Sequence, residues 1–211
     1  HLYKAYAMSV ETSDLSRLKT LSNLVEYHLA LEELEKTLGY IEEALPLAET
    51  NPLSQDAAVL YHNTAVVYRR KEDYQRSIDY IQKALEINTK LESFGEMASN
   101  YYILASVYSR LNQPQEALDY AELALTNDKK VENRPGIAAD LLALGILHQK
   151  EGREETAYTY FEKAYHVYET LQHPEGMRRC LQYLRESAVG LGKDADAEVY
   201  TRALEILEER S

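Results

Sequence analysis

The chain has 211 residues, 45% of them hydrophobic, which supports a sizeable core and excludes compositional disorder. Against 23 Lys and Arg stand 35 Asp and Glu, a net charge of −12 that argues against a phosphate-backbone binder or a polybasic membrane anchor. No apolar run approaches the roughly 18 residues of a spanning helix, and the single cysteine, Cys180, excludes an internal disulfide framework and a Cys-rich zinc site.

Residues 1–12, HLYKAYAMSVET, resemble the later string EKAYHVYET and read as the second helix of a preceding, truncated pair, remnant to about residue 14. The chain's start reads as truncated or processed, and the expectation is a cytoplasmic protein. Beyond it, strings beginning YIEEAL at Tyr40, YIQKAL at Tyr80, YAELAL at Tyr120, YFEKAY at Tyr160 and YTRALE at Tyr200 recur every 40 residues. Such self-similarity marks a repeat architecture.

The first half of each repeat keeps the same register. Leu21, Tyr61, Tyr101, Leu141 and Leu181 are followed three residues later by Leu24, Thr64, Leu104, Leu144 and Leu184. Four further on come His28, Tyr68, Tyr108, His148 and Ala188. This i, i+3, i+7 spacing lies on one face of an α-helix. The pattern predicts helices at 15–30, 33–48, 55–71, 74–91, 96–111, 114–129, 135–151, 153–171, 175–191 and 194–209. Pro114, Pro135 and Pro174 fall in first turns, where proline is tolerated.

Small residues complete the central repeats: Ala65, Ser77 and Ala84, then Ala105, Ala117 and Ala124, then Gly145, Ala157 and Ala164. Small side chains at facing positions let two antiparallel helices approach closely. Each pair is then expected to leave an apolar face that the next pair covers. The expected architecture is all-α, an α-solenoid forming one domain over residues 1–211. Its repeats fall at about 15–54, 55–94, 95–134, 135–174 and 175–211.

These residues resemble the tetratricopeptide repeat. The stretches Tyr61 to Leu85, Tyr101 to Leu125 and Leu141 to Tyr165 carry its pattern, whereas Val25, Thr37, Arg185 and Leu204 depart from it in the outer repeats. The period of 40 residues, in place of the usual 34 or so, is similar to the repeats of kinesin light chain and of bacterial peptide-sensing regulators. The resemblance implies a right-handed superhelix of helix pairs that binds a peptide or protein segment in a concave groove, without catalysis.

Nothing in the residues suggests chemistry. The six histidines include no i, i+4 pair, and His28 and His148 occupy the Tyr slot of the repeat, where a hydrogen-bonded packing histidine is expected. Cys180 reads as a small buried side chain. The many carboxylates read as solvated helix faces. Tyr61, Tyr68, Tyr101, Tyr108, Tyr120 and Tyr160 read as core. No catalytic residue, metal ligand or cofactor is expected.

The resemblance places the groove on the first helix of each pair. Its implied lining is His62, Val66, Arg69 and Arg70, then Tyr102, Ser106 and Arg110, then Leu142, Ile146 and Lys150. Arg70, Arg110 and Lys150 stand 40 residues apart and suggest a basic ladder suited to an acidic segment. The same cations, in last helical turns, also complement the helix dipole. The carboxylate clamp by which some family members hold chaperone tails finds only Asn63 here. The leading reading is therefore a non-catalytic interaction module with a protein or peptide partner, no direct nucleic-acid contact and no membrane insertion. The rivals are a peptide-sensing regulatory domain and a self-assembling scaffold, the latter a homo-oligomer pairing through Leu204, Ile206 and Leu207.

Overall fold

The computed structural model describes Tyr3, Tyr6 and residues 13–209. The expected helix at residues 1–12 lies outside the described residues, apart from Tyr3 and Tyr6, both helical. Ten helices follow: α1 (Asp14–Ala30), α2 (Leu34–Thr50), α3 (Gln55–Arg70), α4 (Tyr74–Lys90), α5 (Phe94–Arg110), α6 (Pro114–Lys130), α7 (Arg134–Lys150), α8 (Glu154–Thr170), α9 (Pro174–Gly190) and α10 (Asp194–Glu209). Every one lies within two residues of its predicted bounds. The described residues contain no strand.

The regularity has a local cause. The helices end in the same three-residue turn, with a left-handed residue at Glu32, Glu72, Glu92, Asn112, Glu132, Gly152, Gln172 and Gly192. At the first of these, the Glu33 N–H returns to the His28 carbonyl at 3.0 Å and the Glu32 N–H to that of Leu29 at 3.2 Å. Asp73 and Tyr68, Asn133 and Asp128, and Arg153 and His148 repeat the longer bond at 2.9, 2.9 and 3.0 Å. This double bond satisfies carbonyls that a helix end leaves unpaired. The connection after α2 differs because Pro52 occupies the equivalent position, and proline cannot take positive φ.

Helix starts are fixed by side chains where the sequence allows. Ser13, Ser54, Asp73 and Asn133 each accept a hydrogen bond from the backbone N–H three residues on. Pro114, Pro135 and Pro174 sit in first turns as expected.

The chain forms two compact units, His1–Val107 and Tyr108–Ser211, with the boundary inside α5. In the first, α1 packs on α2 and α3, and α3 packs on α2 and α4. Leu18, Leu21, Val25, Ile41, Ala44, Leu60, Val67 and Ala84 make its core. In the second, α6 to α10 pack in succession, each on the next. Leu144, Phe161, Leu181 and Leu184 are among its largest buried side chains. The predicted small residues are buried in both units, and Ser77, the polar one, donates to the Ala65 carbonyl at 2.9 Å.

The Tyr slot proves to be a stacking position. His28 stacks on Tyr40, Tyr68 on Tyr80, Tyr108 on Tyr120 and His148 on Tyr160, with ring centroids 5.2–5.6 Å apart. Each stack joins the end of the first helix of a pair to the start of the second. Tyr61 is buried as expected, but Tyr68, Tyr101, Tyr108, Tyr120 and Tyr160 are only half-buried. Ala188 ends the series, and Tyr200 instead meets the Tyr158 hydroxyl at 2.6 Å.

Candidate functional site

In the first unit, α3 and α5 carry the implied lining. His62 Nδ1 meets Asn100 Oδ1 at 2.7 Å, and Arg69 Nη1 donates to Ser106 Oγ at 2.9 Å. These bonds join equivalent helices of successive pairs and hold His62, Arg69 and Ser106, all half-buried, on one side of the unit. Val66 lies between them in sequence, half-buried against the core. Arg70 and Tyr102 are exposed. In the preceding pair Ser22 is buried and donates to the Asp56 carbonyl at 3.1 Å.

The second unit repeats the arrangement on α7 and α9. Lys150 Nζ donates to Ser109 Oγ at 2.8 Å, which sets Lys150 beside the last turn of α5, next to Arg110. Gln149 donates to Glu154 at 3.0 Å and to Ser187 at 3.3 Å, while Ser187 donates to Glu154 at 2.8 Å. Arg110 and Lys150 are exposed and Ile146 is half-buried. Leu142 departs from its implied place: it is 2% exposed, so it supports this side from within rather than lining it. Tyr102, in the same slot of the previous repeat, is 37% exposed.

Other expectations resolve side chain by side chain. His28 is buried and bonded to both Glu33 and Tyr3. His148 is buried too, but its Nδ1 has no hydrogen-bond partner, and burial pushes its pKa down, so the ring is held neutral. Cys180 is buried, and burial pushes its thiol up to about 12. Leu204 is buried, while Ile206 is exposed on α10.

Two carboxylates contradict the expectation of solvated faces. Asp128 on α6 and Asp140 on α7 are 5% and 2% exposed. Asp128 Oδ1 accepts from Asn133 Nδ2 at 2.9 Å, and Asp128 Oδ2 lies against Gly136, one helical turn before Asp140 on α7. Sequence reasoning missed them because an isolated Asp on a helix is ordinary. The available signal was periodic: Asn88 and Asn100 stand 40 residues earlier, in equivalent slots, and both are buried. Among the described residues no group of three or more His, Cys, Asp and Glu could hold a metal ion. None of the described helices is long and apolar enough to cross a membrane.

A family model described as tetratricopeptide repeat matches residues 16–90 and 96–170. No curated protein matches the sequence. Among solved structures, BtubC (BKLC) from P. vanneervenii superposes with a TM-score of 0.84 at 17% identity, covering 99% of this chain and 87% of that one. A Rap protein complexed with competence and sporulation factor gives 0.75 at 18% identity, covering 98% of this chain. This chain spans 57% of that Rap protein. Kinesin light chain TPR-like repeats from Podosopora anserina give 0.73 at 16% identity, covering 93% of this chain and 97% of that one. At these identities the likeness is one of fold.

Proposed function

This chain belongs to the tetratricopeptide repeat family, and we propose that it is a non-catalytic cytoplasmic module that binds an acidic peptide segment of a partner protein. The family's repeats generally serve protein–protein interaction. The observation that carries the finer reading is the placement of cations: Arg70, Arg110 and Lys150 are exposed at equivalent helix ends of a chain whose net charge is −12. Exposed cations in an acidic protein select for a complementary anionic partner and repel the wrong ones. Lys150, already bonded to Ser109, keeps its remaining N–H donors for a carboxylate. In the first unit His62, Val66, Arg69, Tyr102 and Ser106 accompany Arg70; in the second Ile146 accompanies Arg110 and Lys150, with Leu142 buried behind it.

The test is binding of acidic and charge-scrambled peptides to the wild type and to Arg110→Glu. Reversal of one rim charge is expected to weaken the acidic peptide by about tenfold at low salt, an effect that shrinks as salt screens it. Circular dichroism should be unchanged. Equal affinity for both peptides, or for both proteins, refutes the acidic-ligand reading.

A second reading, a peptide-sensing regulatory domain, is favoured by the likeness to a Rap protein complexed with competence and sporulation factor. It is distinguished by a change in hydrogen-exchange protection far from the peptide on binding, which a passive adaptor does not require.

A further inference from the structure

The junction of α6 and α7 holds two buried acids where the preceding repeat of this chain has Asn88 and Asn100. Asp128 and Asp140 are almost wholly buried, and neither makes a salt bridge among the described residues. Two buried carboxylates in contact repel strongly, and each also loses its hydration. Read as a carboxylate, Asp140 leaves Oδ2 as a buried acceptor without any donor. Read as a carboxylic acid, it gains an O–H that can donate to the neighbouring Asp128 carboxylate.

The surroundings decide which of the two keeps the charge. Asn133 donates to Asp128 Oδ1, and Asp128 Oδ2 lies against Gly136 in the first turn of α7, close enough that a Cβ there would collide with it. A helix N-terminus favours a negative charge. Asp140, in contrast, lies a full turn further along α7, and its Oδ2 is buried without a hydrogen-bond partner. From α8, Tyr160 faces α7 at His148, and from α9 the contact is Ser187 on Gln149 beside Glu154. Those points are eight and nine residues along α7 from Asp140, about 12–14 Å. The preceding repeat has Asn88 and Asn100 in the same two slots, both buried and uncharged, with Asn100 Oδ1 bonded to His62.

We propose that Asp128 and Asp140 share one proton as an acid–carboxylate latch joining α6 to α7, and that losing this proton in mildly alkaline solution loosens the junction. Asp140 is the proton holder and Asp128 the acceptor. Burial, then the Asp128 charge, pushes the Asp140 carboxyl up to about 8. The folded state therefore binds this proton more tightly than the unfolded chain does. Its stabilisation is complete below the ordinary carboxylate range and falls as pH rises toward about 8.

The test is a carboxyl carbon NMR titration of the wild-type protein, together with melting curves of wild type and Asp140→Asn. An asparagine amide donates to Asp128 without needing a proton. The Asp140 carboxyl is expected to titrate with a midpoint several pH units above a free aspartate. The melting temperature of the wild type relative to Asp140→Asn is expected to fall by several degrees between about pH 5 and pH 9. The double variant Asp128→Asn, Asp140→Asn, which copies the preceding repeat, should show the same flat profile. If Asp140 titrates with the surface carboxylates, or the wild-type and variant profiles run parallel, the proposal is overturned. Should Asp140→Asn fail to fold, the wild-type titration alone decides.

Discussion

Gly145→Ala is expected to destabilise the protein although alanine is the better helix former. Gly145 lies inside α7, where exchanging glycine for alanine ordinarily favours the helix by about 1 kcal/mol. Here the new methyl would lie 2.5 Å from Phe161 Cδ1 and 3.1 Å from its Cζ, well inside van der Waals contact. Phe161 cannot withdraw freely: it is fully buried and stacked on Tyr183 with centroids 4.9 Å apart. Forcing a methyl into such a core costs about 1–3 kcal/mol, and more when an aromatic ring must leave its rotamer. We expect overpacking to win, with a net loss of about 2 kcal/mol, or roughly 4–8 °C in melting temperature for a chain of this size. The control is Gly39→Ala on α2, where an added Cβ meets nothing within 4 Å and a small gain is expected. Urea denaturation of Gly145→Ala, Phe161→Leu and the double variant should give a coupling of about 1 kcal/mol or more, because the smaller side chain makes room for the methyl. A Gly145→Ala protein as stable as Gly39→Ala would refute the close approach of α7 and α8.

Glu72→Gly and Glu132→Gly should each raise stability by about 0.5–1 kcal/mol, since both residues hold φ near +60° or +54° at exposed turns and glycine removes that strain; chemical denaturation with unchanged m-value checks this, and a loss would show that the turns tolerate glutamate without cost. Cys180, buried and with its thiol pushed up, should resist a thiol-specific reagent at neutral pH in the native state and react at once in denaturant; rapid native labelling would contradict its burial.

Much of this molecule follows from local rules that a sequence displays. The period of 40 is the sum of two helix-and-turn segments, and it is visible because every segment must offer large residues to its partner and small ones where backbones approach. The helix bounds followed within two residues because each turn carries its own cap. The tetratricopeptide resemblance was legible for the same reason.

Only the packed structure separated equivalent positions. Tyr102 and Leu142 share a slot, yet one is exposed and the other buried, because a tyrosine's hydroxyl is retained by water and a leucine has nothing to keep it there. Asp128 and Asp140 look like ordinary surface acids in the chain. What buried them was the meeting of α6 with α7 across the bare backbone of Gly136, a contact between residues that no single helix contains. Periodicity determines which face of a helix turns inward; the charge state and exposure of one side chain depend on what the neighbouring helix places against it.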